Sequence, residues 1–189
     1  RYTPRWYQEA IAVFIETWFS GGYGRLLGSF DEMYFRSLVN EKLPFPSDVE
    51  LENYTSHISI FLENILYLYG TRFVGHLADK YGVEKLIDWF SLGEDEFYPS
   101  LEAKFEKVYN VDFEDEWNNF IKDETEFQKQ NISILQTAPL TQTKRLSEES
   151  FGWITKPYFD SKDRSLIFGF HKPGNLAQIT KFDLKTNSN

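Results

Sequence analysis

The sequence predicts an α+β protein: a mainly α-helical domain over residues 1–130, then a short antiparallel β segment over residues 131–189. Three observations carry that expectation. Apolar residues recur at helical spacing through the first part. Near Asn131 this pattern gives way to Thr, Ser, Pro and β-branched residues, which places a boundary between about 128 and 145. Two β-prone runs then flank Lys172-Pro173-Gly174-Asn175, whose Pro-Gly pair is turn chemistry.

In chain order, Thr3 is expected to cap a helix whose first residue is Pro4. Tyr7, Ile11, Phe14 and Trp18 form its apolar stripe, and Ser20-Gly21-Gly22-Tyr23-Gly24 ends it. Residues 30–40 read as a short helix, followed by a loop with Pro44 and Pro46. From about 56 to 69 the helical pattern is apolar nearly all round, which predicts a central helix. It continues over 71–81 and stops at Gly82, expected as a left-handed C-cap. A short helix is expected over 83–90, and Ser100 caps another over 101–109. Asp112 caps a last one carrying Phe113, Trp117, Phe120, Ile121 and Phe127 on one face. The β-prone runs are 132–135, 139–143, 165–170 and 177–182, and the last two form a hairpin.

Composition narrows the function classes. Aromatic content of 18% supplies a large core and excludes a disordered tail. A formal charge of −9 argues against nucleic-acid binding, because phosphate contact needs clustered Lys and Arg. It equally disfavours an anionic membrane surface, and no apolar run is long enough to predict membrane insertion within the chain. With no cysteine there is no disulfide, thiolate zinc site or Cys nucleophile. The chain begins at Arg1 without a Met, and the expectation is a piece of a larger protein, truncated at both ends.

Few residues present themselves for chemistry. His57, His76 and His171 form no His-x-x-x-His pair, and there is neither a Gly-x-Ser-x-Gly elbow nor a nucleotide fingerprint. The glycines at 21, 22 and 24 follow a helix and precede Arg25, which does not fit a phosphate cradle. His76 is expected as a packed or partly exposed helix residue, and His57 and His171 as a helix-start and a surface residue. Asp112, Glu114, Asp115 and Glu116 are explained by the dipole at a helix start. Glu9 falls on the helical face of Arg5 and Glu16, away from the apolar stripe. Periodicity makes that a solvated face; the chemical alternative is a metal ligand on a rigid helix, the carboxylate of a two-His, one-Glu zinc site.

The segment Pro4-x-Trp6-Tyr7-x-Glu9-Ala10-x-Ala12-Val13-Phe14-x-Glu16 resembles the third-ligand helix of gluzincin zinc metallopeptidases. In that family Pro-x-Trp-aromatic-x-Glu-Gly-x-Ala follows a His-Glu-x-x-His helix by a few tens of residues. The resemblance implies that Glu9 is a zinc ligand and Glu16 a supporting acid. Two departures stand out: Ala10 replaces the usual Gly, and the His-Glu-x-x-His helix is not in this sequence. The stretch Tyr67-Leu68-Tyr69-Gly70-Thr71-Arg72-Phe73-Val74-Gly75-His76-Leu77 is similar to the family's following helix. By that likeness Tyr67 would be the catalytic donor to the tetrahedral oxyanion; the alternative for Tyr67, as for Tyr69, is a core aromatic.

The tail has its own likeness. Lys156-Pro157-Tyr158-Phe159-Asp160-Ser161-Lys162-Asp163-Arg164-Ser165-Leu166-Ile167-Phe168 resembles the repeat core of TolB-like β-propellers, with an altered turn. One blade buries too little to stand as a propeller. Together the resemblances imply the C-terminal helical part of a zinc peptidase followed by the start of a propeller. They further imply a peptide or protein substrate, zinc in the intact protein with little or none bound by this piece alone, and an exported or periplasmic location. The alternatives are an inactive peptidase-like scaffold or a protein-interaction domain.

Overall fold

The structure, a computed structural model, describes residues 3–53, 60–92, 98–139, 141–172 and 174–186, the side chains of 52–53 and 60–66 excepted. His57 therefore lies outside the described residues. The chain forms two compact units, Arg1–Ala138 and Pro139–Asn189. The architecture is mixed α+β, mainly helical, and the antiparallel sheet is not closed into a barrel or propeller.

In the first unit the described helices are α1 (Arg5–Phe19), α2 (Ser29–Asn40), α3 (Asp48–Asn53), α4 (Ile60–Tyr81), α5 (Val83–Ser91), α6 (Leu101–Tyr109) and α7 (Phe113–Leu135). A 3-10 turn, Arg25–Leu27, joins α1 to α2. Pro4, rather than Thr3, is the N-cap of α1, and no side chain caps it. Thr3 instead offers its carbonyl to the Gln8 side chain at 3.1 Å. Ser100 and Asp112 cap α6 and α7 through their own oxygens, accepting from the amides of Ala103 and Asp115. Gly82 separates α4 from α5 at φ 90°, ψ 153°, an extended conformation with positive φ rather than the left-handed cap expected. Only Gly adopts that region readily.

The core is aromatic. Trp6 of α1, Phe73 of α4, Phe105 of α6, and Phe113, Trp117 and Phe120 of α7 are nearly or fully inaccessible and meet mostly edge-to-face. Such pairs add about 0.5–1.5 kcal/mol each beyond their buried area. A second cluster sets Tyr69 against Phe35 and Phe45, so Tyr69 is core. Phe127, expected on the apolar face of α7, is 47% exposed. α7 runs on through Leu135, so residues 132–135 are helix and not the strand their β-branched composition predicts. Propensity is weak beside continuation of a long helix that already has its hydrogen bonds in register.

In the second unit β3 (Ser165–His171) is central. It pairs antiparallel with β4 (Gln178–Asp183) along one edge, with Phe168 opposite Thr180 and Leu166 opposite Phe182. Along its other edge lie β2 (Tyr158–Asp160) and β1 (Trp153–Ile154) in turn. Alternation puts Phe168 and Phe170 on one face, where Phe151 meets both rings and Phe182. The 141–143 part of the β-prone run 139–143 is irregular.

Candidate functional site

The spacing of α1 and α4 is set by one glycine. Trp6 and Ala10, about one turn apart on α1, straddle Gly70 of α4. A Cβ at residue 70 would lie 3.0 Å from the Ala10 Cβ and 3.0 Å from the Trp6 carbonyl oxygen. Gly70 therefore lets the two backbones approach closely, and with Gly on one side of the contact, Ala10 is small enough on the other. Glu9, beside Ala10, and Tyr67, less than one turn before Gly70, are carried together by this contact.

The Tyr67 hydroxyl lies close enough to the Glu9 carboxylate for the two to interact. Arg5, a turn earlier on α1, reaches both: its Nε lies 3.8 Å from Glu9 Oε1, and its charge acts on the Tyr67 hydroxyl. Burial raises the Tyr67 pKa, the neighbouring Glu9 carboxylate raises it further, and Arg5 opposes them. The phenol is thus protonated at neutral pH and has a proton to donate. The Glu9 side chain is 30% exposed, so its carboxylate is neither freely solvated nor enclosed.

Arg25 covers the ring of Tyr67, its guanidinium carbon 5.2 Å from the centroid, a cation–π distance. The loop before it is built to place it. Buried Thr17 donates to the Val13 carbonyl at 2.9 Å and accepts from the Leu26 amide at 3.4 Å. Gly24 packs so closely on Thr17 that no Cβ would fit. Arg25 Nε also stands 3.4 Å from the buried Asp31 carboxylate. Burial raises the Asp31 pKa, against the positive charges of Arg25 and Arg72. The site is therefore a phenol set between a carboxylate and a guanidinium.

Sequence reasoning missed Arg5, Arg25 and Asp31 as members of this site. The available signal was the Gly-rich loop placed just before Arg25. It also missed a polar seam between α4 and α7, whose signal was Arg72, His76 and Lys80 at successive four-residue steps. Arg72 donates to Glu124 at 2.9 and 3.1 Å and to Glu32 at 2.6 Å, while Gln128 and Asn131 also donate to Glu32 at 2.8 and 3.0 Å. Burial works against the Arg72 charge, but the carboxylates of Glu124 and Glu32 raise its pKa overall. Glu116, 2% exposed, accepts from Lys80 at 2.8 and 2.9 Å and from Tyr81 at 3.0 Å, with His76 Nε2 at 3.0 Å. The helix dipole is thus not the whole account of the acids at the start of α7, because Glu116 anchors α4. His76 belongs to this structural seam, His171 is exposed, and so is Glu16.

Among the described residues no group of three or more His, Cys, Asp or Glu could hold a metal ion. A catalytic zinc takes three protein ligands. Glu9 can offer one carboxylate to such a set. No described helix is long and apolar enough to cross a membrane. Comparison of the chain with protein-family models, with curated proteins and with solved structures finds no match.

Proposed function

We propose that this chain is the ligand-and-donor part of a zinc-dependent peptidase, with Glu9 as a metal ligand and Tyr67 as the donor to the oxyanion. The observation that carries this reading is the convergence of Glu9 and Tyr67, more than fifty positions apart, on one place across the α1–α4 contact, where the carboxylate acts on the phenol. A phenol kept protonated beside a carboxylate is suited to donate to the oxygen of a tetrahedral intermediate. Arg25 over its ring and Arg5 at its hydroxyl limit where that O–H can point. A zinc ion would supply carbonyl polarisation and an activated water, and two histidines from outside these residues would have to complete its ligands. On the same reading the β unit is the opening of a TolB-like propeller, and the protein is exported. A second reading draws on the Arg5–Glu9–Tyr67 cluster itself: in an inactive scaffold or interaction domain, it would serve only to join two helices.

The test begins with the coding sequence just upstream of Arg1, which the proposal requires to contain His-Glu-x-x-His within a few tens of residues. The protein carrying that segment is expected to hold one zinc per chain, and Glu9→Gln to lose it with helical content unchanged. Absence of the motif, or zinc retained in Glu9→Gln, overturns the proposal.

A further inference from the structure

Asp31 is an acid that the start of α2 does not explain. The helix dipole favours an acid in the first turn, and Glu32 in the same turn serves that need too. The dipole does not call for burial, yet Asp31 is 5% exposed. A carboxylate taken out of water is costly unless a cation comes with it. Among the described residues, the cations acting on Asp31 are Arg25 and, more weakly, Arg72. Arg72 is already held by Glu124 and Glu32 at 2.6–3.1 Å. Arg25 is thus the partner of Asp31, its Nε 3.4 Å from Oδ2.

The backbone around Arg25 is fixed on α1. The Leu26 amide donates to Thr17 Oγ1, and a Cβ at residue 24 would lie 2.2 Å from that same oxygen. From this anchorage the guanidinium lies between the Asp31 carboxylate of α2 and the ring face of Tyr67 of α4. A long Arg side chain loses much rotamer freedom when held in one place, and a part-exposed cation–π contact is weak against that loss. An ion pair with a buried carboxylate supplies the remainder, because salt and water screen it little. The charges acting most on the Tyr67 hydroxyl itself are those of Glu9 and Arg5. We infer that Asp31 is a positioning residue for Tyr67 and acts through Arg25. It fixes the guanidinium over one face of the phenol, so that the ring cannot turn away from Glu9. Only the donor role of Tyr67 rests on the peptidase reading; the Asp31–Arg25–Tyr67 arrangement does not.

NMR of the metal-free chain, isotope-labelled at Arg and Tyr, reads this arrangement directly. In the parent the Arg25 δ-methylene protons are expected upfield, shielded by the Tyr67 ring, and Tyr67→Leu is expected to abolish that shift. Asp31→Asn, close in size but uncharged, is expected to abolish it as well and to move the Tyr67 ring resonances, with far-UV ellipticity unchanged. Arg25→Gln, at a side chain 32% exposed and so compatible with folding, is expected to move the same Tyr67 resonances. Asp31→Asn added to it should move them no further, because the path through Arg25 is already cut. An acid that served only the α2 dipole would leave the Arg25 shift in place. Arg25 protons that stay upfield in Asp31→Asn overturn the inference, and so does a parent without the upfield shift. Tyr67 resonances unmoved by Arg25→Gln overturn it even where Asp31→Asn fails to fold. In the longer, zinc-holding protein, Asp31→Asn is expected to lower kcat at least ~10-fold with KM little changed, the mark of a misplaced donor. A parent without peptidase activity overturns the peptidase reading and leaves the NMR outcomes to decide Asp31. An active parent whose kcat is unchanged by Asp31→Asn overturns the role of Asp31 alone.

Discussion

Gly70→Ala tests the contact on which the candidate site depends. The added Cβ would lie 3.0 Å from the Ala10 Cβ, 3.0 Å from the Trp6 carbonyl oxygen and 3.2 Å from the Trp6 ring carbon Cε3. Carbon atoms pack best at about 3.5–4.0 Å, so the methyl arrives about 0.5 Å too close. None of the three neighbours can swing aside. Ala10 has no rotamer, the carbonyl belongs to the α1 backbone, and the Trp6 ring is held among Tyr7, Phe73, Phe113 and Trp117. Overpacking such a core costs about 1–3 kcal/mol. Removing a glycine from a helix offsets about 0.5–1 kcal/mol of that. The expected net loss is about 1–2 kcal/mol, or a fall in Tm of about 3–8 °C for a unit of this size. Thermal and urea unfolding followed by far-UV ellipticity would measure it. Gly75→Ala, on the same helix, is the comparison: its Cβ would meet Leu26 Cδ1 at 2.9 Å, the far end of a flexible side chain. That variant is expected within about 1 kcal/mol of the parent, either way. A Gly70→Ala protein as stable as the parent would refute the close approach of α1 and α4.

Two further outcomes follow from the charges. Burial alone would raise the Glu116 pKa, but Lys80, His76 and Tyr81 outweigh it and hold the carboxyl below its ordinary 4.5. A depressed folded pKa contributes stability above the unfolded value, and that stability is lost as pH falls through the folded one. Glu116→Gln is therefore expected to lose about 2–3 kcal/mol at pH 7, with the gap from the parent narrowing as pH drops below 4.5; a gap in urea unfolding that stays constant between neutral and acid pH would sink this account. At the candidate site, Glu9→Gln removes a charge that raises the Tyr67 pKa, so the phenol should titrate at lower pH. Tyrosine Cζ shifts by NMR, assigned with Tyr67→Phe, would show it, and an unmoved titration would mean that Glu9 and Tyr67 do not meet.

Much of the helical unit was legible because its signals are local. Ser100 and Asp112 are caps in the sequence and caps in the structure, since an N-cap needs only its own oxygen and amides two or three residues on. The β3–β4 pairing was legible through Pro-Gly flanked by β-prone runs. Residues 132–135 were misread because composition was weighed over helix continuity, and Pro4 displaced Thr3 because a one-residue difference at a helix start has little sequence signature.

For the site, the sequence by itself determined which side chains are present and which face of its own helix each one takes: Glu9 beside Ala10 and away from the apolar stripe, Tyr67 less than a turn before Gly70. Periodicity is a property of one helix and carries that much. It does not say which helix lies opposite, or how near. Tertiary structure alone decided that Gly70 meets Trp6 and Ala10, that Glu9 consequently reaches Tyr67, and that Arg25 returns over the same ring. It also turned Glu116 from one of four acids at a helix start into the buried anchor of α4. The physical reason is shared by all of these. A lone carboxylate, a phenol or a guanidinium is soluble anywhere on a helix surface, and only the partner brought against it by packing decides what it does.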